Sequence, residues 1–187
     1  MKKFLFLAGL FMAAATASAQ ADLGKGNLQL NAGTGISGWG IPVYVGLDYG
    51  VTNEITVGAE LSYRHDSTTY DFGRIELGPY GRISGEKITY SHNVFGIFTN
   101  GNYHFNRLLR LPRQLDLYAG ASLGFFFAST STSSNWDREY TGDSYSGFSA
   151  ALQTGARYFF TDNFGVNLEL SGGVLTSGLK AGITYKF

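Results

Sequence analysis

Three histidines and no cysteine leave the 187-residue chain few groups for acid–base, nucleophilic or metal chemistry. The most suggestive spacing is His65-x-Ser67, with Glu76 a little further on. A strand carrying His65 and Ser67 would put a general base and a hydroxyl nucleophile on one face, the arrangement that ester cleavage needs. The same residues open a stretch rich in Asp, Ser and Thr, and we read them as the start of a polar loop. His92, between Ser91 and Asn93, reads likewise as a strand entering from a loop. His104 falls on the same face as Asp116 of the next segment, which suits a structural pair better than a proton relay. Scattered imidazoles make no metal site, and Gly33-Thr34-Gly35 precedes no helix that could complete a phosphate cradle. No catalytic residue, metal or cofactor is expected. The other notable charges are Glu60, Arg157, Glu169 and Lys180, two acids and two bases near the middles of their segments, a count that permits mutual pairing.

Those residues sit in segments where apolar and polar side chains alternate with period two, the mark of strands with one apolar face. The segments run near 27–36, 41–49, 55–63, 91–105, 116–127, 148–160, 164–171 and 179–187. Each approaches the ~9–11 residues of a tilted membrane strand. No later stretch reads as a helix. Composition agrees: 26 Gly, 12 Tyr and 15 Phe accompany only 15% charged residues. Aromatics at that level exclude disorder, and 14 basic against 14 acidic residues give no footprint for nucleic acid.

The first residues stand apart. Lys2 and Lys3 precede an apolar run from Phe4 to Met12, and Ala17-Ser18-Ala19 supplies small residues for a signal peptidase. Residues 1–19 are therefore expected to be a signal peptide and 20–187 the exported domain. Loss of the two lysines leaves 12 basic against 14 acidic residues, a net charge of −2.

The links differ in length. Gly50 to Asn53, Asn106 to Gln114 and Thr161 to Asn163 would share one rim with both termini. His65 to Lys87 and Ser129 to Tyr145, long and polar, would lie on the other rim with short links at 37–40 and 172–177. Within the first long link, Ile75 and Leu77 alternate with Arg74, Glu76 and Gly78, and Gly78-Pro79-Tyr80-Gly81 forms a natural turn. This predicts that strands three and four extend past the membrane and turn near Pro79, with an edge open to a partner's strand. A mobile loop is the alternative. The Ser/Thr-rich 129–145 stretch has no apolar alternation and reads as a loop.

Two barrels fit the alternation. A soluble ligand-binding barrel would put the apolar face inside, whereas a membrane barrel inverts it. Mid-strand charges and most glycines fall on the polar face, where a narrow lumen needs pairing and space. Aromatics gather at the ends of the apolar face: Tyr49, Tyr63, Tyr103, Phe105, Tyr158, Phe160, Phe164, Tyr185 and Phe187. An interfacial girdle belongs there. The fold class is thus all-β, an eight-stranded antiparallel transmembrane up-and-down barrel. Its interior is just wide enough for side chains to fill, so the charges read as a plug before a pore.

On these features the chain resembles the small outer-membrane β-barrel proteins of Gram-negative bacteria, the OmpA/OmpX-like superfamily. The resemblance rests on the leader, the eight amphipathic strands and the terminal Ala181-Gly182-Ile183-Thr184-Tyr185-Lys186-Phe187. Tyr103-His104-Phe105, and Tyr118-Ala119-Gly120 followed by Leu123-Gly124, look like barrel domains of Bacteroidetes. It implies outer-membrane lipid and lipopolysaccharide as surroundings. It also implies recognition of Tyr185 and Phe187 by the barrel-assembly machinery. The absence of a following peptidoglycan-binding domain implies no cell-wall anchoring. Outer-membrane lipid A deacylases also carry a His-x-Ser pair, but Thr68 stands where their pattern prefers Asn. The favoured function is structural or surface interaction through extracellular loops, with a possible extracellular protein partner. A narrow channel or carrier for ions or small apolar molecules comes next, and a lipid A-modifying enzyme last.

Overall fold

The computed structural model describes residues 23–38, 40–71, 73, 75–76, 82–83, 87–134, 139–173 and 177–187. The expected signal peptide and the Gly78 to Gly81 turn lie outside these residues. The described residues form ten strands: β1 (Leu28–Ser37), β2 (Ile41–Gly50), β3 (Ile55–Asp71), β4 (Ile75–Glu76), β5 (Arg82–Ile83), β6 (Lys87–His104), β7 (Leu115–Ser134), β8 (Glu139–Phe159), β9 (Phe164–Gly173) and β10 (Gly178–Lys186). Eight of them close an antiparallel barrel in the order β1-β10-β9-β8-β7-β6-β3-β2, while β4 and β5 pair only with each other. Closure is made by β1 against β10, from Gln29↔Lys186 to Ser37↔Gly178.

The burial is inverted relative to a water-soluble domain. Along β2 every other residue is exposed, and these are Ile41, Val43, Val45, Leu47 and Tyr49. Leu123 and Leu168 are each 50% exposed, while Gln29 and Thr184 are completely buried. Among the described residues fifteen polar side chains are buried against nine apolar ones. Exposed apolar surface on this scale demands a nonaqueous surround, and a closed barrel leaves no backbone edge unpaired within it.

Two expectations need correcting. The strands are of two kinds: β1, β2, β9 and β10 have 9–10 residues, but β3, β6, β7 and β8 have 17–21. Most of the 129–145 stretch read as a loop is therefore strand, with Ser131↔Thr141 and Ser133↔Glu139 in register beyond a bulge. Alternation fails there because neither face meets lipid, while Thr and Tyr still favour extended backbone. The four long strands continue above the barrel as a sheet, and no further described strand adds to either of its outer edges. Pairing of β2 with β3 stops at Ile41↔His65, and pairing of β8 with β9 stops at Ala151↔Gly173. The sequence-derived extension of strands three and four is present to Asp71↔Lys87. The second correction is a single helical turn, α1 (Asn106–Leu109), at the opposite rim.

Candidate functional site: the lumen and the barrel rims

Parity along each strand decides which side chains enter the lumen, and the closed register decides which of them meet. Lys180 of β10 lies between two carboxylates, 2.8 Å from Glu60 Oε2 on β3 and 2.8 Å from Glu169 Oε1 on β9. Arg157 joins neither acid. Its guanidinium donates to Asp48 at 2.8 Å and to Asp116 at 3.3 Å. The four charges grouped together from sequence thus fall into two clusters. Tyr118 links them: its hydroxyl donates to Glu169 Oε2 at 2.8 Å, and the Arg157 guanidinium lies over its ring at 4.3 Å. Asp48 and Asp116 double the acids, but Arg64 and Lys186 are also buried inward, restoring four cations to four carboxylates.

His104 Nδ1 sits 2.7 Å from Asp116 Oδ1, and its Nε2 sits 3.0 Å from Thr56 Oγ1. A chain of acid, imidazole and hydroxyl has the order of a hydrolytic triad. All three side chains are buried, however, and a nucleophile must reach its substrate. The arrangement fixes the ring and satisfies every group, which is structural work.

Small residues make room for these inward side chains. A Cβ on Gly147 would come within 2.8 Å of the Phe126 ring, and one on Gly182 within 2.7 Å of the Tyr44 hydroxyl. Gly96 and Gly124 likewise underlie Phe98. Near the outer mouth, Val94, Phe126 and Ala128 form a buried apolar cluster.

On the outward face, the partner of His65 is Asn93 and not Ser67. Its Nδ1 lies 2.8 Å from Asn93 Oδ1, which also accepts the Tyr63 hydroxyl at 2.9 Å. Among the described residues no three His, Asp or Glu side chains converge as metal ligands.

A family profile described as "Outer membrane protein beta-barrel domain" matches residues 4–187. The chain belongs to this family. Among solved structures, the N-terminal β-barrel domain of Pseudomonas aeruginosa OprF aligns with a TM-score of 0.53 and 16% identity, covering 88% of this chain and 99% of that one. Neisserial surface protein A aligns with a TM-score of 0.53 and 13% identity, covering 86% and 95%. At such identities the likeness shows the fold. A search of curated proteins finds no match.

In an outer-membrane barrel the short-turn rim faces the periplasm. The strands ending there carry Tyr49, Tyr103, Phe105, Tyr158, Phe160, Phe164, Tyr185 and Phe187, while Tyr63 lies toward the other rim beside Val43 and Phe95. Three strands end on the same Tyr-x-Phe pair, with ring centroids 5.2 Å apart for Tyr103–Phe105, 5.4 Å for Tyr158–Phe160 and 5.2 Å for Tyr185–Phe187. Sequence reasoning missed the roles of Asp48 and Tyr118. Asp48 shares inward parity with Tyr44 and Gly46, which is the signal that locates it. Nothing local announces the reach of Tyr118 to Glu169.

Proposed function

We propose that this outer-membrane protein has a lumen plugged by its own side chains and presents a sheet above the membrane for strand addition by an extracellular protein. The observation that carries the reading is the β8 edge from Glu139 to Ala150, which has no neighbouring strand among the described residues, with a shorter such edge on β3 from Asp66 to Tyr70. Unpaired edges are liabilities unless covered or used, and strand addition draws affinity from backbone bonds without a pocket. The two ion clusters, bridged by Tyr118, support the plug, because side chains can fill an eight-stranded interior. Residues 1–19 serve as the export leader, Phe187 and Tyr185 as the signal read by the assembly machinery, and the aromatic rims as contacts with lipid and lipopolysaccharide.

A deletion strain complemented with wild type or with Ser144→Pro/Ser146→Pro tests both parts. Adhesion should fall in the deletion and stay low with the proline variant, while permeability stays at the wild-type level. Purified barrel in planar bilayers should pass no resolvable single-channel current. Steady conductance would replace the plug with a channel, and full adhesion by the proline variant would remove the edge from the reading.

A further inference from the structure

The periplasmic turn between β6 and β7 is built unlike the other turns on its rim. Asn106 accepts the Leu117 amide through its side chain at 3.1 Å and the Leu111 amide through its carbonyl at 3.0 Å, and Pro112 accepts from Leu115 at 3.0 Å. The turn is therefore firmly anchored to β7. Yet it displays Leu108 and Leu109 outward, 69% and 54% exposed. Around them stand Arg107, Arg110 and Arg113, all exposed, with no acid from Asn106 to Gln114. Arg107 pairs with Glu54 of the neighbouring turn at 2.7 Å. Arg110 and Arg113 have no acidic partner among the described residues.

Arg110 closes α1 at φ 50° and ψ 48°, the only residue other than glycine with positive φ among those described. Glycine is the ordinary occupant of that position. An arginine held there at a steric cost points to a use for its side chain. The turn also continues the lipid-facing surface: it follows directly on Tyr103 and Phe105, whose rings stack edge to face.

We infer that this turn is a binding surface for the anionic phospholipid headgroups of the inner leaflet. Leu108 and Leu109 enter the acyl boundary, and Arg107, Arg110 and Arg113 hold the phosphates. Paired apolar side chains ringed by cations are the chemistry of an interfacial anchor. Guanidinium suits phosphate because its planar fork donates two bonds at once. Each basic group near an anionic surface favours it about fivefold.

The test uses whole barrel carrying Leu108→Trp, folded into phosphatidylcholine vesicles containing brominated phosphatidylglycerol or brominated phosphatidylcholine as quencher, with the unsubstituted protein as background. Quenching of the added indole should give phosphatidylglycerol an advantage of at least about fivefold at low salt, falling towards parity when all three arginines become glutamine. Arg110→Gly, which removes one charge and relieves the backbone, should raise barrel stability yet lower the advantage. The inference rests on the lipid-facing reading of the barrel, so Leu168→Trp serves as a control and should be quenched equally by both lipids. Failure of that control overturns the lipid-facing reading itself. With the control intact, equal quenching at position 108, or none because the turn stands in water or on a periplasmic polymer, overturns the proposal.

Discussion

Arg157 and Asp48, 109 positions apart in the chain, meet at 2.8 Å on opposite sides of the lumen. The contact spans strands that are not neighbours in the barrel, so it holds the cross-section as well as neutralising a charge. Arg157 also bonds Asp116, and the Gln29 side-chain amide lies 3.1 Å from the guanidinium Nε, where its oxygen is the end able to accept.

Truncating Arg157 should therefore cost more than its packing. Arg157→Met leaves Asp48 without its cation and Asp116 with His104 alone, a loss of about 3–5 kcal/mol. Asp48→Asn keeps one carboxylate paired and should cost less. Urea unfolding in lipid vesicles, followed by intrinsic fluorescence, measures both. Equal losses would mean that the guanidinium works as a packing group.

The fit of ring over glycine is testable separately. The three atoms nearest a Cβ at Gly147 all belong to the Phe126 ring. Gly147→Ala should lose about 1–3 kcal/mol through overpacking. The double variant with Phe126→Leu should lose less than the two single losses added, because the shortened side chain vacates the space. Additive losses would place the strain in the backbone.

The outward face offers a third test. Leu123→Arg and Leu168→Arg put a cation at mid-strand on the lipid side and should each cost about 2–4 kcal/mol in folding from vesicles. At the periplasmic end the headgroups are near, and Val57→Arg should cost about 0–1 kcal/mol. A flat profile between Leu123 and Val57 would contradict a bilayer around this belt.

The sequence made the lipid-embedded half of the fold legible, because alternation is strongest where one face meets lipid and the other a crowded lumen. Leu61, Leu123 and Leu168 could be sided by parity alone, and so could Glu60 and Lys180. Parity does not give the stagger of a closed barrel, so it cannot tell that Arg157 meets Asp48 and not Glu169. Nor does it persist above the membrane, where Thr130 to Ser134 are strand without a pattern. The turn at Asn106 escaped for a simpler reason: one helical turn is shorter than any helical period.

The terminal strand gives a fourth prediction. Phe187 stacks on Tyr185 at 5.2 Å, and its amide donates to Leu28 at 2.9 Å where β10 closes on β1. Deleting Phe187 removes the last bond of the closing seam along with the terminal aromatic. Less protein should reach the outer membrane, and more should collect as periplasmic aggregate. Phe187→Tyr, which keeps ring and bond, should restore insertion. A deletion that inserts at wild-type levels and still shifts on unheated gels would leave the residue no role in assembly.

The last prediction concerns the sheet above the membrane. Its inner pairings, such as Tyr90↔Thr132 between β6 and β7, are flanked by a strand on each side, whereas among the described residues β8 beyond Ala151 pairs with β7 alone. Amides bonded between strands exchange slowly, and amides pointing to an open edge exchange at solvent rates. Exchange in detergent micelles should therefore be slow for β6 and β7 up to about Thr130. From Glu139 to Ala150 it should alternate, one amide protected through β7 and the next open. Tyr70 and Tyr90, stacked edge to face at 6.0 Å, should keep the β3–β6 side ordered to its tip. A partner that adds a strand along β8 would slow the open amides and leave their neighbours unchanged, which locates the contact to one edge. Fast exchange at every amide from Glu139 to Ala150, bonded and open alike, would mean that this edge is not held as a strand in solution, and strand addition there would lose its template.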